Sequence, residues 1–154
     1  MPKVNMLGMR KRDVAQFNRD MRNTQSDLKD RVRVTVNRKG IKLHANAVQG
    51  APVDNGDLRG SIRFIFDDHD TIATVGTDKV YAPYVEFGTA PHLITPKNKK
   101  ALSWKVGKKR IFVKSVRHPG TEPNPFMRNA LKSVDPEFRF AIATDLRDTI
   151  NGDA

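Results

Sequence analysis

The chain has 154 residues, 38% hydrophobic and 29% charged, the size and balance of one globular domain able to bury a core. No apolar run approaches the roughly 20 residues of a membrane span, and the N-terminal MPKVNMLGMRKRD lacks the apolar block of a signal peptide. With no cysteine, disulfide scaffolds, thiolate zinc sites and cysteine nucleophiles are excluded. The net charge of +11 is segregated: residues 1–50 carry 12 Lys/Arg against 4 Asp/Glu, 51–90 carry 3 against 7, 91–123 carry 9 against 1, and 124–154 carry 4 against 5. Two basic blocks flanking an acidic one favour a polyanionic neighbour, either nucleic acid or the acidic face of a protein.

From Val14 the apolar residues Val14, Phe17, Met21, Leu28, Val32, Val36, Leu43 and Ala47 recur at steps of three, four and seven, which predicts one long amphipathic helix. Asp13 is its expected N-cap. Gly40 and the β-branched Val32, Val34, Thr35 and Val36 predict a kink or break near Gly40. A helix of this length exceeds what a small domain needs, and its first half reads as an arm for a neighbouring subunit. Pro52 and the turn residues Asp54-Asn55-Gly56 end it. Ser61–Phe66 alternates as a strand, Asp67–Asp70 turns, and Thr71–Thr77 returns, giving a β-hairpin.

Tyr81, Tyr84 and Val85 have helical spacing, with Pro83 in a first turn and Gly88 as a stop. In the second basic block, Leu102 and Trp104, then Ile111 and Val113, alternate on either side of Lys105-Val-Gly-Lys-Lys-Arg110, a second hairpin with a cationic tip. His118–Asn124 reads as a loop. Asn124 is the expected cap of a helix starting at Pro125, and Asp135-Pro136 repeats that arrangement. Phe138, Ile142, Leu146 and Ile150 step by four along a terminal helix. The expectation is an α+β fold: a long N-terminal amphipathic helix packed on a small antiparallel sheet, a basic β-hairpin and a C-terminal helix. Its organisation is a basic segment over 1–13 and a single domain over 14–150, divided into a helical arm (14–50), sheet and basic hairpin (51–123) and C-terminal helices (124–150).

No catalytic, cofactor or metal site is expected. His44, His69, His92 and His118 have no zinc-binding spacing. His92 and His118 flank the basic hairpin and could meet as an acid–base pair, but two loop histidines carry no inherent chemistry and a structural role is the stronger reading. Asp67, Asp68 and Asp70 lack the ligand count and turn glycine of a calcium loop. Phosphate-loop, dinucleotide and nucleophile-elbow motifs are missing. Glu86, an acid between Val85 and Phe87, needs a partner such as Arg59 or Arg63 if buried. Lys97, Lys99, Lys100, Lys105, Lys108, Lys109 and Arg110 can grip phosphates while Trp104 stacks on a base; packing of Trp104 in a core, or a partner-facing loop, are the competing uses.

Three segments in order, Ala51–Ile62 (APVDNGDLRGSI), Tyr81–His92 (YAPYVEFGTAPH) and Val116–Leu131 (VRHPGTEPNPFMRNAL), resemble the tailed-phage family of lambdoid tail components, the gene-product-ten-like proteins, and the related virion-morphogenesis proteins. The resemblance spans roughly residues 15–150. It matches Pro52, Gly56, Leu58 and Ser61 to the family's helix-to-sheet corner. Tyr81, Ala82, Glu86, Gly88 and Thr89 match its central signature, and His118, Pro119, Gly120, Pro125 and Phe126 its last. Asn55 departs from the family's threonine, and both residues suit a turn.

The resemblance implies a structural virion protein, not an enzyme, acting in head–tail joining or tail completion as a ring between connector and tail tube. Its implied partners are further copies of itself, with six-fold symmetry, other neck proteins, the tail tube or tail terminator, and genomic DNA in the channel. It implies no membrane, and a place in the virion after assembly in the host cytoplasm. On this view the motif residues specify the fold, with Tyr81, Tyr84 and Phe126 supplying packing. Acidic 51–90 of one subunit then faces basic 91–123 of the next. The alternative is a basic nucleic-acid-binding protein using the 97–117 hairpin.

Overall fold

A computed structural model describes residues 10–152; of the basic 1–13 segment, residues 1–9 lie outside the described residues. The elements follow as α1 (Lys11–Gly50), α2 (Asp57–Ser61), β1 (Arg63–Asp67), β2 (Ile72–Gly76), α3 (Ala82–Phe87), β3 (His92–Ile94), β4 (Leu102–Val106), β5 (Lys109–Val113), β6 (Val116–His118) and α4 (Phe126–Asn151). The α+β expectation holds. The strands form three two-stranded antiparallel ribbons, β1–β2, β3–β6 and β4–β5, in place of a single sheet.

The long helix begins one turn before the expected cap. Arg10 is the N-cap, and Asp13 sits in the first turn, where its carboxylate accepts the Arg10 backbone N–H at 3.2 Å. An acid there complements the positive end of the helix dipole. Nor does α1 break at Gly40: it runs 40 residues without interruption. Gly40 is the place where the β1–β2 ribbon presses on the helix. A Cβ there would lie 2.5 Å from Phe64 Cε2 and 2.8 Å from Ala73 Cβ. Sequence periodicity flags glycine as a helix breaker, whereas here the missing side chain lets a ribbon approach the helix backbone.

At its other end α1 stops at Gly50, as Pro52 requires. Arg59 reaches back to donate from Nε to Ala51 O at 2.7 Å and from Nη2 to Gln49 O at 3.1 Å, a cation on otherwise unpaired C-terminal carbonyls. Ser61, expected to open the first strand, instead closes a short helix α2, led by Gly56 at φ 87°. Ser61 Oγ donates to Leu58 O at 2.8 Å and lies 2.6 Å from Thr77 Oγ1. The strand therefore starts at Arg63, and the expected hairpin follows, with Phe64 opposite Val75 and Phe66 opposite Ala73.

The last helix packs antiparallel on α1. Thr35 Oγ1 donates to Asp145 Oδ2 at 2.7 Å, Lys39 and Lys42 both reach Glu137, and Asn46 Nδ2 donates to Ser133 Oγ at 2.8 Å. This register brings Asn151 level with the region of Leu28, so residues 11–27 extend past the end of α4 by about 25 Å. Asp135-Pro136 starts no new helix; Pro136 lies inside a continuous α4. The inward face of α4 runs through Val134 and Thr149, both buried, while Leu146 and Ile150 of the expected stripe are 42% and 76% exposed.

The core gathers where both helix ends meet the short elements. Ala47, Ala51, Leu58, Ile62, Ala82, Phe126 and Ala130 are buried there, and no large side chain is fully enclosed. A compact chain of 17.4 kDa exposes about 7,900 Å²; this one exposes 12256 Å². Surface of that order on a chain of this size reflects the extended α1 arm and leaves large apolar groups, among them Phe17 and Met21, in water.

Two stability predictions follow from the packing on α1. Gly40→Ala gains about 1 kcal/mol of helix propensity but overpacks against Phe64 and Ala73, at about 1–3 kcal/mol. Its urea midpoint should fall, while that of Gly60→Ala, where a Cβ meets nothing within 4 Å, should hold or rise. Glu137 accepts from Lys42 Nζ at 2.6 Å and Lys39 Nζ at 2.9 Å. Those hydrogen bonds, with the charge of both ammonium groups, lower its pKa from 4.5 to about 2. A depressed folded-state value means that the contribution is complete above pH 4.5 and is lost as the pH falls toward 2. The melting-temperature gap between wild type and Glu137→Gln should thus close over that window. It should be small throughout and shrink with salt, since the side chain is 47% exposed.

Candidate functional site

The three sequence motifs converge at the end of the molecule where α1 stops and α4 starts. Gly88 (φ 71°) ends α3, and Gly120 (φ 92°) lies across from it. Between them Thr89 and Thr121 exchange backbone hydrogen bonds of 3.0 and 3.1 Å, and their hydroxyls lie 2.8 Å apart. A Cβ on Gly88 would stand 2.6 Å from Thr121 O and 2.9 Å from Pro123 N, and one on Gly120 would overlap Thr89 O. Both glycines are thus fixed twice, by positive φ and by backbone pressed against backbone. The bridge continues into β3–β6, with His92 opposite His118 and Ile94 opposite Val116. The expected loop at 118–124 is therefore partly strand-paired, a non-local match that three-residue segments do not announce.

Glu86 is buried, and its partner is neither Arg59 nor Arg63. Its carboxylate accepts the Met127 N–H through Oε2 at 2.9 Å and the Arg128 N–H through Oε1 at 3.1 Å. These are among the first amides of α4, which have no partner within the helix, and a carboxylate there also interacts favourably with the positive end of the helix dipole. Asn124 does not cap the helix as expected: the N-cap is Pro125, with no side-chain cap of its own, and Asn124 N instead donates to Val85 O at 2.8 Å. Glu86 caps the helix from 41 residues away. An isolated acid in an apolar segment is the sequence signal for such a cap; its target is set only by the fold.

The histidines divide by role. His44 Nε2 lies 3.1 Å from Ile62 O, pinning α1 to the entry of β1. His92 and His118 do meet, their rings stacked at 5.1 Å between centroids. Gly120 N donates to His118 Nδ1 at 3.0 Å, and His92 Nδ1 lies 3.0 Å from Ala90 O. Each ring thus serves its own turn, His118 through an accepting Nδ1 and His92 through a donating Nδ1–H. Asp67 Oδ1 accepts the N–H groups of His69 and Asp70, which closes the β1–β2 turn.

Of the motif residues, Leu58, Ser61, Ala82, Glu86 and Phe126 are buried. Pro52 and Pro119 lie at the surface, with Gly56, Gly88, Thr89, His118, Gly120 and Pro125 between. Tyr81 and Tyr84 do not pack as expected; they are 42% and 60% exposed, because the one-turn α3 points Ala82 and Glu86 inward and the rings out.

The basic hairpin forms as predicted, turning at Gly107 with φ 58°. Trp104 lies opposite Ile111, and Lys105 opposite Arg110. Leu102, Trp104, Val106, Ile111 and Val113 share one face with Lys109, and Lys105 and Arg110 share the other with Ser103 and Phe112. Trp104 remains 42% exposed, so it is not a core residue. None of Lys97, Lys99, Lys100, Lys105, Lys108, Lys109 or Arg110 takes part in an ion pair among the described residues.

Two surfaces were not legible in the sequence. One is an apolar groove of about 550 Å³ between β2, α3 and α4, lined by Leu43, Val75, Ala82, Phe87, Met127 and Leu131 among others. A smaller hollow of about 180 Å³ continues it past Leu43 and Leu131 to Gly40, Val134 and Phe138. The other is Arg128 over the Phe87 ring at 5.3 Å, a cation–π contact at the groove's edge.

Capped helices, paired ribbons and an extended arm define an α+β subunit shaped by backbone fit. Residues 15–88, from the arm through Gly88 and just under half of the chain, match the family model described as "Bacteriophage HK97-gp10, putative tail-component", which supports a phage tail-component assignment. The match takes in the first motif and most of the second. No curated protein and no solved structure compared with the chain matched it.

Glu86→Ala leaves two α4 amides without their acceptor and should cost about 1–3 kcal/mol. Glu86→Gln, which keeps one acceptor oxygen and turns an NH₂ toward the other amide, should recover only part of that. Chemical denaturation of both variants, with hydrogen exchange at Met127 and Arg128, measures this; unchanged protection at those amides would remove the cap from the account.

Proposed function

We propose that this phage tail component works in head–tail joining or tail completion, assembling without catalysis as a ring between connector and tail tube. Its place would be in the virion, reached after assembly in the host cytoplasm. The observation that carries the ring is the exposed surface. The chain leaves 12256 Å² in water, including Phe17 and Met21 on an arm that covers nothing of its own domain. A subunit of this kind completes its burial against neighbours, and a repeated head-to-tail contact closes a ring when its rotation permits. The acidic 51–90 segment facing the basic 91–123 segment of the next copy gives such a contact its direction. Six copies, other neck proteins and the tail tube or tail terminator as neighbours are part of the same proposal. Cryo-electron microscopy of purified virions tests it: the chain should trace as a ring between portal and tail tube, and its absence from that position would refute the reading.

The basic ribbon supports a second contact, with genomic DNA in the channel. Residues 97–117 carry nine Lys/Arg and no acid, and Lys105 lies directly across from Arg110, a like-charge pair that a phosphate relieves. If it grips DNA, affinity should fall steeply with salt, and replacing Lys105, Lys108, Lys109 and Arg110 by Gln should flatten the log–log slope by about 3–4. A slope unchanged by those replacements would assign the ribbon to a protein neighbour.

A further inference from the structure

We propose that the apolar groove receives the N-terminal arm of α1 from a second copy of this chain, so that the arm, and not charge alone, is the joint between subunits. The proposal rests on the self-assembling part of the reading above and names the surfaces it uses.

Both halves of the contact are open on the subunit. On the arm, Val14, Phe17 and Met21 fall on one helical face, and Phe17 and Met21 are 55% and 53% exposed. In the groove, Phe87 and Leu131 are 65% and 54% exposed. The dimensions agree: the groove follows α4 from Met127 to Phe138, about 16 Å of helix, and the stripe from Val14 to Met21 covers about 10 Å. An amphipathic helix laid in an apolar groove with anchors at i, i+3 and i+7 is an established mode of recognition.

Connectivity excludes the chain's own arm. Gly40 and Leu43 in the groove floor belong to the same unbroken helix as Phe17 and Met21, and a continuous helix cannot fold back onto its own flank. A second copy carries the same open stripe, free to reach the groove. Charge does not oppose this choice: the arm over residues 10–23 carries five Arg/Lys and two Asp, and the groove lining balances Asp78 and Glu86 against Lys79 and Arg128. The contact is heterologous, with arm and groove on different faces, so every subunit gives one arm and receives one.

The absence of native cysteine makes disulfide trapping a clean test. Full-length Phe17→Cys is mixed with full-length Leu131→Cys at about 1 mM, where even millimolar contacts are populated, under mild oxidation. All the altered side chains are exposed, so the fold is kept; circular dichroism checks this. The mixed disulfide should accumulate about tenfold faster than that between Phe17→Cys and Phe140→Cys. Phe140 is 76% exposed but lies on another face of α4. Adding Phe17→Ser and Met21→Ser to wild-type chain should also reduce self-association in light scattering. Equal rates for the two pairings, or Phe17→Cys homodimers as the main product, would overturn the proposal. A virion ring without preferential trapping at Leu131 would refute this joint alone, whereas trapping with no chain in virions would refute only the tail assignment.

Discussion

The Glu86 carboxylate at the start of α4 is the constraint on which the rest of the arrangement turns. Pro125 gives that helix no side-chain cap, so its first amides need an acceptor from elsewhere in the chain. Glu86 supplies both oxygens from α3, and in doing so fixes where α4 begins. From that origin the helix runs back along α1, bringing Ser133 to Asn46, Glu137 to the two lysines and Asp145 to Thr35. At the same end of the molecule Arg59 treats the C-terminus of α1 in the mirror-image way, a cation on carbonyls. Two helix ends, oppositely polarised, are thus each closed by a side chain of matching sign from a short neighbouring element. The small buried core sits between them.

Much of this fold could be read locally. The arm and stripe of α1, its end before Pro52, the β1–β2 hairpin, the one-turn α3 and the basic ribbon all rest on periodicity and turn residues close together in sequence. What could not be read were the consequences of distant segments meeting. Gly40 carries the same local signal whether it breaks a helix or admits Phe64 beside one. Asn124 and Pro125 carry a cap signature that Glu86 supersedes. The β3–β6 pairing joins two three-residue strands whose lengths give no alternation to detect. Asp135-Pro136 resembles a helix start, yet the helix passes through it on the strength of its packing against α1.

The same division applies to the candidate site. Gly88, Gly120 and Glu86 stand out in sequence as motif residues, and the structure gives each a physical reason: two backbones in contact and one long-range cap. These residues determine shape and leave little for a partner to touch. The exposed groove, the outward tyrosines and the arm are the surfaces available to neighbours. Among the three motifs, the segments that define the family are therefore largely distinct from the surfaces that would define an assembly.

The β4–β5 ribbon has one further consequence. A two-stranded ribbon leaves both outer edges with unpaired backbone groups and, here, an apolar face bearing Trp104, Val106 and Ile111, an open template for pairing with any other strand. Its four positive charges, Lys105, Lys108, Lys109 and Arg110, with no acid, work against that outcome, because two such ribbons repel before their edges can align. The same charge that invites an acidic surface therefore guards the open edges: two copies of the ribbon repel each other, and that repulsion is relieved only where an anionic surface neutralises it.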